Sequence, residues 1–114
     1  MDIPETATLL RIFLGENDKT DGRPLYETLV LKARELHLAG ATVLRGPMGF
    51  GRASRLHTAK ILRLSEDLPI VVEIVDAQSN IERFLETMEP MLGSVLVTME
   101  NVKVLRYGNR RRES

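Results

Sequence analysis

The spacing of apolar residues along the chain predicts five strands and two helices. Short apolar runs, several rich in β-branched residues, predict strands. These runs are Leu9–Leu14, Ala41–Leu44, Leu68–Val75, Val95–Met99 and Val102–Tyr107. Apolar residues three or four positions apart predict one helix over Pro24–Leu38 and another around Ile81, Phe84, Leu85 and Met88. Between the second and third strands, residues 53–66 follow neither period.

Residues with special backbone preferences mark the predicted element ends. Gly40 is the expected stop of the first helix, since glycine readily adopts the left-handed conformation that closes many helices. Asp76 is the expected N-cap of the second helix, and Pro90–Gly93 its end. Glu100–Asn101 predicts a break between the last two strands.

The first six elements follow the order β-α-β-β-α-β, which is that of the ferredoxin-like α+β sandwich. We therefore expect an antiparallel sheet with two helices on one face and an extra C-terminal strand. Leu68–Val75 is apolar on both faces, and no segment remains to cover the second face, so the sequence predicts a homo-oligomer. Residues 1–108 are expected to form one domain with a long loop at about 46–67, and 109–114 a charged, disordered tail.

Composition narrows the classes of function. The 16 basic and 16 acidic residues give a formal net charge of zero, and aromatic residues are only 4% of the chain, which argues against a nucleic-acid binder. The absence of cysteine excludes disulfides and a thiol nucleophile and fits a cytoplasmic protein. Neither a signal peptide nor an apolar run long enough to cross a bilayer is present, so we expect no membrane insertion.

The segment Gly40–Arg52 carries the strongest functional signal. It predicts a buried strand followed by a loop with glycines at 46, 49 and 51 and arginines at 45 and 52. Closely spaced glycines allow positive φ and close backbone approach, and successive N–H groups beside a guanidinium suit a phosphate. An ordinary connecting loop explains the same residues, and this segment by itself favours neither interpretation.

Other polar clusters do not have the spacing of a catalytic or metal site. Glu16, Asp18 and Asp21 share a loop but lack the ligand pattern of a calcium-binding loop. His57 lies in the same region as a serine and an aspartate, without the nucleophile elbow of a hydrolase. We therefore expect no catalytic residues, no metal and no required cofactor.

Several of these segments resemble PII signalling proteins. Gly49-Phe50-Gly51-Arg52 resembles the opening of the PII T-loop, and Leu68-Pro69 the strand that returns from it. Val95–Gly108 resembles the PII C-terminal end. The N-terminal half resembles a PII-like family catalogued as domain of unknown function 190, through Glu16, Gly22, Pro24-Leu25-Tyr26-Glu27 and Leu38–Val43.

This resemblance implies a trimer that binds an adenine nucleotide in clefts between subunits. It further implies that the long loop regulates a protein partner, for example a membrane transporter or channel. By position it assigns to the nucleotide Gly49, Gly51, Arg52, Glu73, Val75 and Arg106. Together with neighbouring residues of the glycine loop and the turn before the last strands, the expected nucleotide-binding residues are Arg45, Gly46, Gly49, Phe50, Gly51, Arg52, Glu73, Val75, Gly93 and Arg106. Val104 stands where PII has a further phosphate arginine, and the turn at Gly93 lacks the PII lysine. Fewer cations favour AMP or ADP over ATP.

Two other classes of function fit the same sequence. A small ferredoxin-like enzyme would act on a phosphorylated substrate in the intersubunit cleft, with Glu73, His57 or the Glu16 loop as acid or base. A ligand-free assembly module would fill the cleft with its own side chains.

Overall fold

The computed structural model describes residues 3–50, 57–58, 67–108 and 110–111. Four longer strands are β1 (Thr6–Gly15), β2 (Thr42–Arg45), β3 (Pro69–Asp76) and β4 (Leu96–Lys103). The helices are α1 (Leu25–Glu35) and α2 (Gln78–Leu92). Two-residue strands form three small ladders, which pair Lys19–Thr20 with Arg23–Pro24, Met48–Gly49 with His57–Thr58, and Arg106–Tyr107 with Arg110–Arg111.

The four longer strands form one antiparallel sheet in the order β2-β3-β1-β4. This is the strand order of the ferredoxin-like sandwich, so the predicted fold class is confirmed. Gly15 pairs with Pro69 at one end of the sheet, and Thr8 pairs with Asp76 towards the other. Arg45 pairs with Ile70 and Phe13 with Leu96, which places the end of β2 and the start of β4 at the Gly15 end.

The core lies between one face of this sheet and the two helices. Alternate residues of β1 and β3 point to the helices, because side chains along a strand alternate between faces. Leu10 and Ile12 of β1 and Val72 and Ile74 of β3 are buried there. Leu29 of α1 joins them, together with the α2 stripe Ile81, Phe84 and Met88. Both helical stripes face the sheet as the apolar period predicts.

Helix α1 ends earlier than predicted, and Gly40 is not its stop. Its C-cap is Leu36, and the left-handed residue that follows is His37, with φ of 62°. The Leu38 N–H donates to the Ala33 carbonyl at 3.0 Å, and the His37 N–H donates to the Arg34 carbonyl at 3.1 Å. This pair of bonds is a Schellman closure, formed here by a histidine in the position that glycine usually fills.

The prediction that Asp76 is the N-cap of α2 is wrong. Asp76 lies one residue before the N-cap and is a buried anchor. The N-cap is Ala77, and Asp76 is 1% exposed at the end of β3. Its carboxylate accepts hydrogen bonds from the backbone N–H groups of Ala39 (2.8 Å) and Ala77 (2.6 Å) and from the Asn80 amide (3.0 Å). One side chain therefore joins the α1–β2 connection to the start of α2.

The predicted break at Glu100–Asn101 is wrong, because β4 continues through it to Lys103. Glu100 pairs with Leu9 and Asn101 with Thr8, and the Glu100 carboxylate accepts a hydrogen bond from Arg11. Cross-strand partners thus override the weak intrinsic strand preference of these two residues. The next strand is only Arg106–Tyr107.

Candidate functional site

Three chain segments meet at the end of the sheet where β1 and β2 finish and β3 begins. We call this region the loop root and define it as residues 15–17, 45–49 and 67–69. The Gly46 N–H donates to the Pro69 carbonyl at 2.8 Å, and the Glu16 N–H donates to the Leu68 carbonyl at 2.9 Å. The Asn17 N–H donates to the Asp67 carboxylate at 2.8 Å. Both ends of the long loop are therefore fixed to the rest of the sheet.

Close approach to Pro69, and not positive φ, favours glycine at positions 46 and 49. A Cβ atom on Gly46 would lie 2.9 Å from Pro69 Cγ, and one on Gly49 would lie 3.0 Å from the same atom. Neither glycine is among the described residues with positive φ. Dense glycines in a sequence can indicate either positive φ or close backbone packing, and at these two positions the structure shows close packing.

Arg45 lies at the loop root in an ion pair with Glu16. Its Nη2 donates to Glu16 Oε2 at 2.6 Å, and the two side chains are 49% and 27% exposed. The guanidinium is a predicted phosphate ligand, and in this structure it is paired with an acidic side chain of the same chain. In the sequence, Glu16 is only one of several loop carboxylates, and no periodicity connects it with a residue 29 positions away.

Of the three predicted site residues that directly follow Gly49, the structure describes only Phe50. Phe50 is 71% exposed and follows the two-residue strand Met48–Gly49. Gly51 and Arg52 lie outside the described residues.

Glu73 and Val75 lie on the sheet face that the helices leave open. Glu73 Oε2 accepts a hydrogen bond from Arg11 Nε at 2.9 Å, and Arg11 Nη1 donates to Glu100 Oε1 at 2.9 Å. The hydrogen bond that Arg11 donates to Glu73 raises the pKa of Arg11. Arg11 is the charge that interrupts the first apolar run, and the sequence pattern assigns it no role. Glu73 thus forms part of a charged row across the open face.

An apolar row crosses the open face beside this charged row. Leu44 pairs with Val71, Val71 with Phe13, and Phe13 with Leu96, so these four side chains share one face. Leu44 is 48%, Phe13 36% and Leu96 60% exposed. The prediction of a buried strand at Ala41–Leu44 is therefore wrong for Leu44, whose side chain lies on the open face. The expectation that a face of the sheet is left without cover by this chain therefore agrees with the geometry of the described residues.

The remaining two predicted residues, Gly93 and Arg106, lie at opposite ends of the sheet. Gly93 closes α2 with φ of 59° and leads into β4, at the same end of the sheet as the loop root. Arg106 follows β4 at the far end, in the two-residue strand with Tyr107. The Tyr107 hydroxyl donates to the Ala39 carbonyl at 3.1 Å, which anchors this C-terminal strand to the α1–β2 connection.

Away from the predicted site residues, the described residues form a cavity but neither a metal site nor a membrane-spanning helix. A cavity of about 350 Å³ beside α1 is lined by none of the predicted site residues. Among the described residues, no three acidic or histidine side chains are grouped so that they could hold a metal ion. Within the same residues, no helix has the length and hydropathy needed to cross a membrane.

Solved structures with the same fold are PII-like proteins. A nitrogen regulatory PII-like protein from Thiomonas intermedia K12, solved with ADP, AMP and bicarbonate, has a TM-score of 0.67 and 17% identity, over 89% of this chain and 90% of that one. A putative PII-like signalling protein from Thermus thermophilus has a TM-score of 0.62 and 21% identity, over 91% and 93% of the two chains.

Sequence relatives identify the family. A UPF0166 protein from Aquifex aeolicus is 40% identical over 97 residues, which cover 85% of this chain and 91% of the relative. A UPF0166 protein from Methanocaldococcus jannaschii is 33% identical over 95 residues, which cover 81% and 87%. The model of the DUF190 family, described as "Uncharacterized ACR", matches residues 7–104. With this match and a PII-like fold, the chain belongs to the DUF190 family.

Proposed function

We propose that this protein is a non-enzymatic, PII-like regulator that binds an adenine nucleotide between subunits. The observation that carries this proposal is the division of the predicted ligand residues within one protomer. Arg45 and the two packed glycines lie at one end of the sheet, whereas Arg106 lies beyond the other. A single ligand contacts both groups only when a second copy brings its far end to the loop root.

The open sheet face supports an assembly of this kind. Its apolar row is exposed in the protomer, and burial of such a row against other copies removes apolar surface from water. The occupant we propose is the same chain, arranged as a homotrimer. The PII-like protein from Thiomonas intermedia was solved with ADP and AMP, which supports an adenine nucleotide as the ligand.

The small number of basic side chains available to the phosphates supports AMP or ADP over ATP as the ligand. Arg45 is paired with Glu16, the turn at Gly93 carries no lysine, and Val104 replaces an arginine that the PII pattern contains. Fewer free cations stabilise fewer phosphate charges. Arg52 is the remaining phosphate ligand that we propose near the loop root.

Regulation follows if the nucleotide binds two arrangements of the long loop with different affinity. Both ends of this loop are tied to β1 and β3 at the loop root, so a phosphate bound there contacts the residues from which the loop begins. We propose that the loop segment then meets a protein partner, with a membrane transporter or channel as one candidate class.

Titration calorimetry with AMP, ADP, ATP and cyclic AMP tests the nucleotide proposal. We expect heat of binding from at least one of them, and at least a tenfold loss of affinity in an Arg52→Ala variant, which removes a charge-assisted contact of about 1.5–3 kcal/mol. Arg34→Ala, an exposed arginine of α1, is the matched control. An absence of heat with all four nucleotides on folded, assembled protein refutes the proposal, and nucleotide hydrolysis in the same samples favours the enzyme alternative.

A further inference from the structure

Glu16 is the acidic side chain that pairs with Arg45 at the loop root. Its carboxylate lies 2.6 Å from Arg45 Nη2, and it is the more buried of the two partners. Its backbone is held independently, because the Glu16 N–H donates to Leu68 and the next residue's N–H donates to Asp67. The turn therefore fixes the backbone from which the Glu16 side chain reaches the guanidinium.

We infer that Glu16 is a specificity-determining residue, which neutralises Arg45 and so biases the loop root towards nucleotides with few phosphates. This inference rests on the proposed function. It adds that the preference among nucleotides is set by one carboxylate that contacts no ligand. Its effect is exerted through Arg45, so Glu16 is a positioning residue and not a ligand.

The physical basis is the difference in charge between the nucleotides. AMP carries one phosphate and ATP three, so each additional cation near the phosphates favours ATP more than AMP. An Arg45 paired with Glu16 contributes almost no net charge at a distance of several ångströms. Release of that guanidinium restores a full positive charge and a planar donor group that matches phosphate oxygens.

Glu16→Gln is the informative variant, because it keeps the shape of the side chain and removes only its charge. Loss of a partly exposed ion pair costs little stability, so the variant is expected to fold. We expect the ratio of ATP affinity to AMP affinity to rise about three- to tenfold, when measured by calorimetry at about 0.1 M salt. Glu86→Gln removes the same charge from the exposed face of α2 and is expected to leave the ratio unchanged.

A second background shows whether Arg45 carries the effect. We expect Glu16→Gln to leave the ratio unchanged when it is made in an Arg45→Gln protein, because no guanidinium is then released. An equal rise in both backgrounds overturns the inference, since Glu16 would then act by direct repulsion of the ligand. An unchanged ratio in the single variant also overturns it, while nucleotide binding by the parent leaves the proposed function intact. Failure of every protein to bind any nucleotide overturns both.

Discussion

The apolar row on the open sheet face makes a quantitative prediction for Leu96. Leu96 is 60% exposed on β4 and pairs with Phe13 at one end of the row. With a total surface of roughly 180 Å² for a leucine, roughly 110 Å² of it is left for burial by another copy. At about 25 cal/mol per Å², complete burial of that area in the proposed trimer contributes about 3 kcal/mol per protomer.

A Leu96→Lys substitution removes this contribution and adds the cost of a desolvated ammonium. In a trimer the loss is repeated in each protomer, so assembly weakens by at least about 8 kcal/mol, or about six powers of ten in the association constant. The folded protomer is expected to lose no more than about 0.5 kcal/mol, because the side chain already faces solvent there. The variant should therefore remain folded and become monomeric.

Sedimentation velocity over a range of protein concentrations measures this change, and circular dichroism checks the fold. The matched control is Leu31→Lys, the same substitution at a leucine that is 44% exposed on α1. We expect the control to sediment as the parent protein does. The reasoning is refuted if Leu96→Lys keeps the parent's mass at low micromolar concentration, or if the parent protein itself is a monomer.

Three further predictions concern residues whose roles the fold reveals. Asp76→Ala removes the buried carboxylate that accepts from the partly buried N–H groups of Ala39 and Ala77, and it should lower the free energy of unfolding by about 2–4 kcal/mol in urea titrations; an unfolding free energy equal to the parent's would contradict its anchor role. His37→Gly should raise that free energy by about 0.5–1 kcal/mol, because φ of 62° suits glycine; a decrease would argue against the Schellman closure. Gly46→Ala should cost about 1–2 kcal/mol through its contact with Pro69, whereas Gly40→Ala, with open space around it, should cost nothing; equal effects would show that close packing is not the reason for glycine at 46.

Much of the fold follows from local sequence patterns. The apolar period of β1, β3 and both helices reflects one buried face in each element, and burial of apolar surface is the main driving force of folding, so the pattern and the element type agree. The element ends are harder to predict. Gly40 has the local signature of a helix stop, yet His37 closes the helix, because a tertiary frame can hold a non-glycine residue at positive φ. Glu100–Asn101 has the local signature of a break, yet cross-strand pairing carries β4 through it.

The candidate site is likewise predictable from the sequence only in part. Its glycines and arginines are visible in the sequence, since dense glycines beside arginines are a local signal. Their partners are not, because Glu16 and Arg45 are 29 positions apart and Arg11 and Glu73 are 62 apart. Such pairs are set by strand order and register, which no short window of sequence contains.

The sequence by itself thus determined the order of elements, the buried faces of β1, β3 and both helices, and the residue types available for an anion, because these depend on neighbours along the chain. Only the tertiary structure decided that Arg45 meets Glu16, that Glu73 lies on the open face and that Arg106 is at the far end from the loop root. The reason is physical. Apolar period is a property of one segment, whereas charge pairing depends on which segments the sheet brings together.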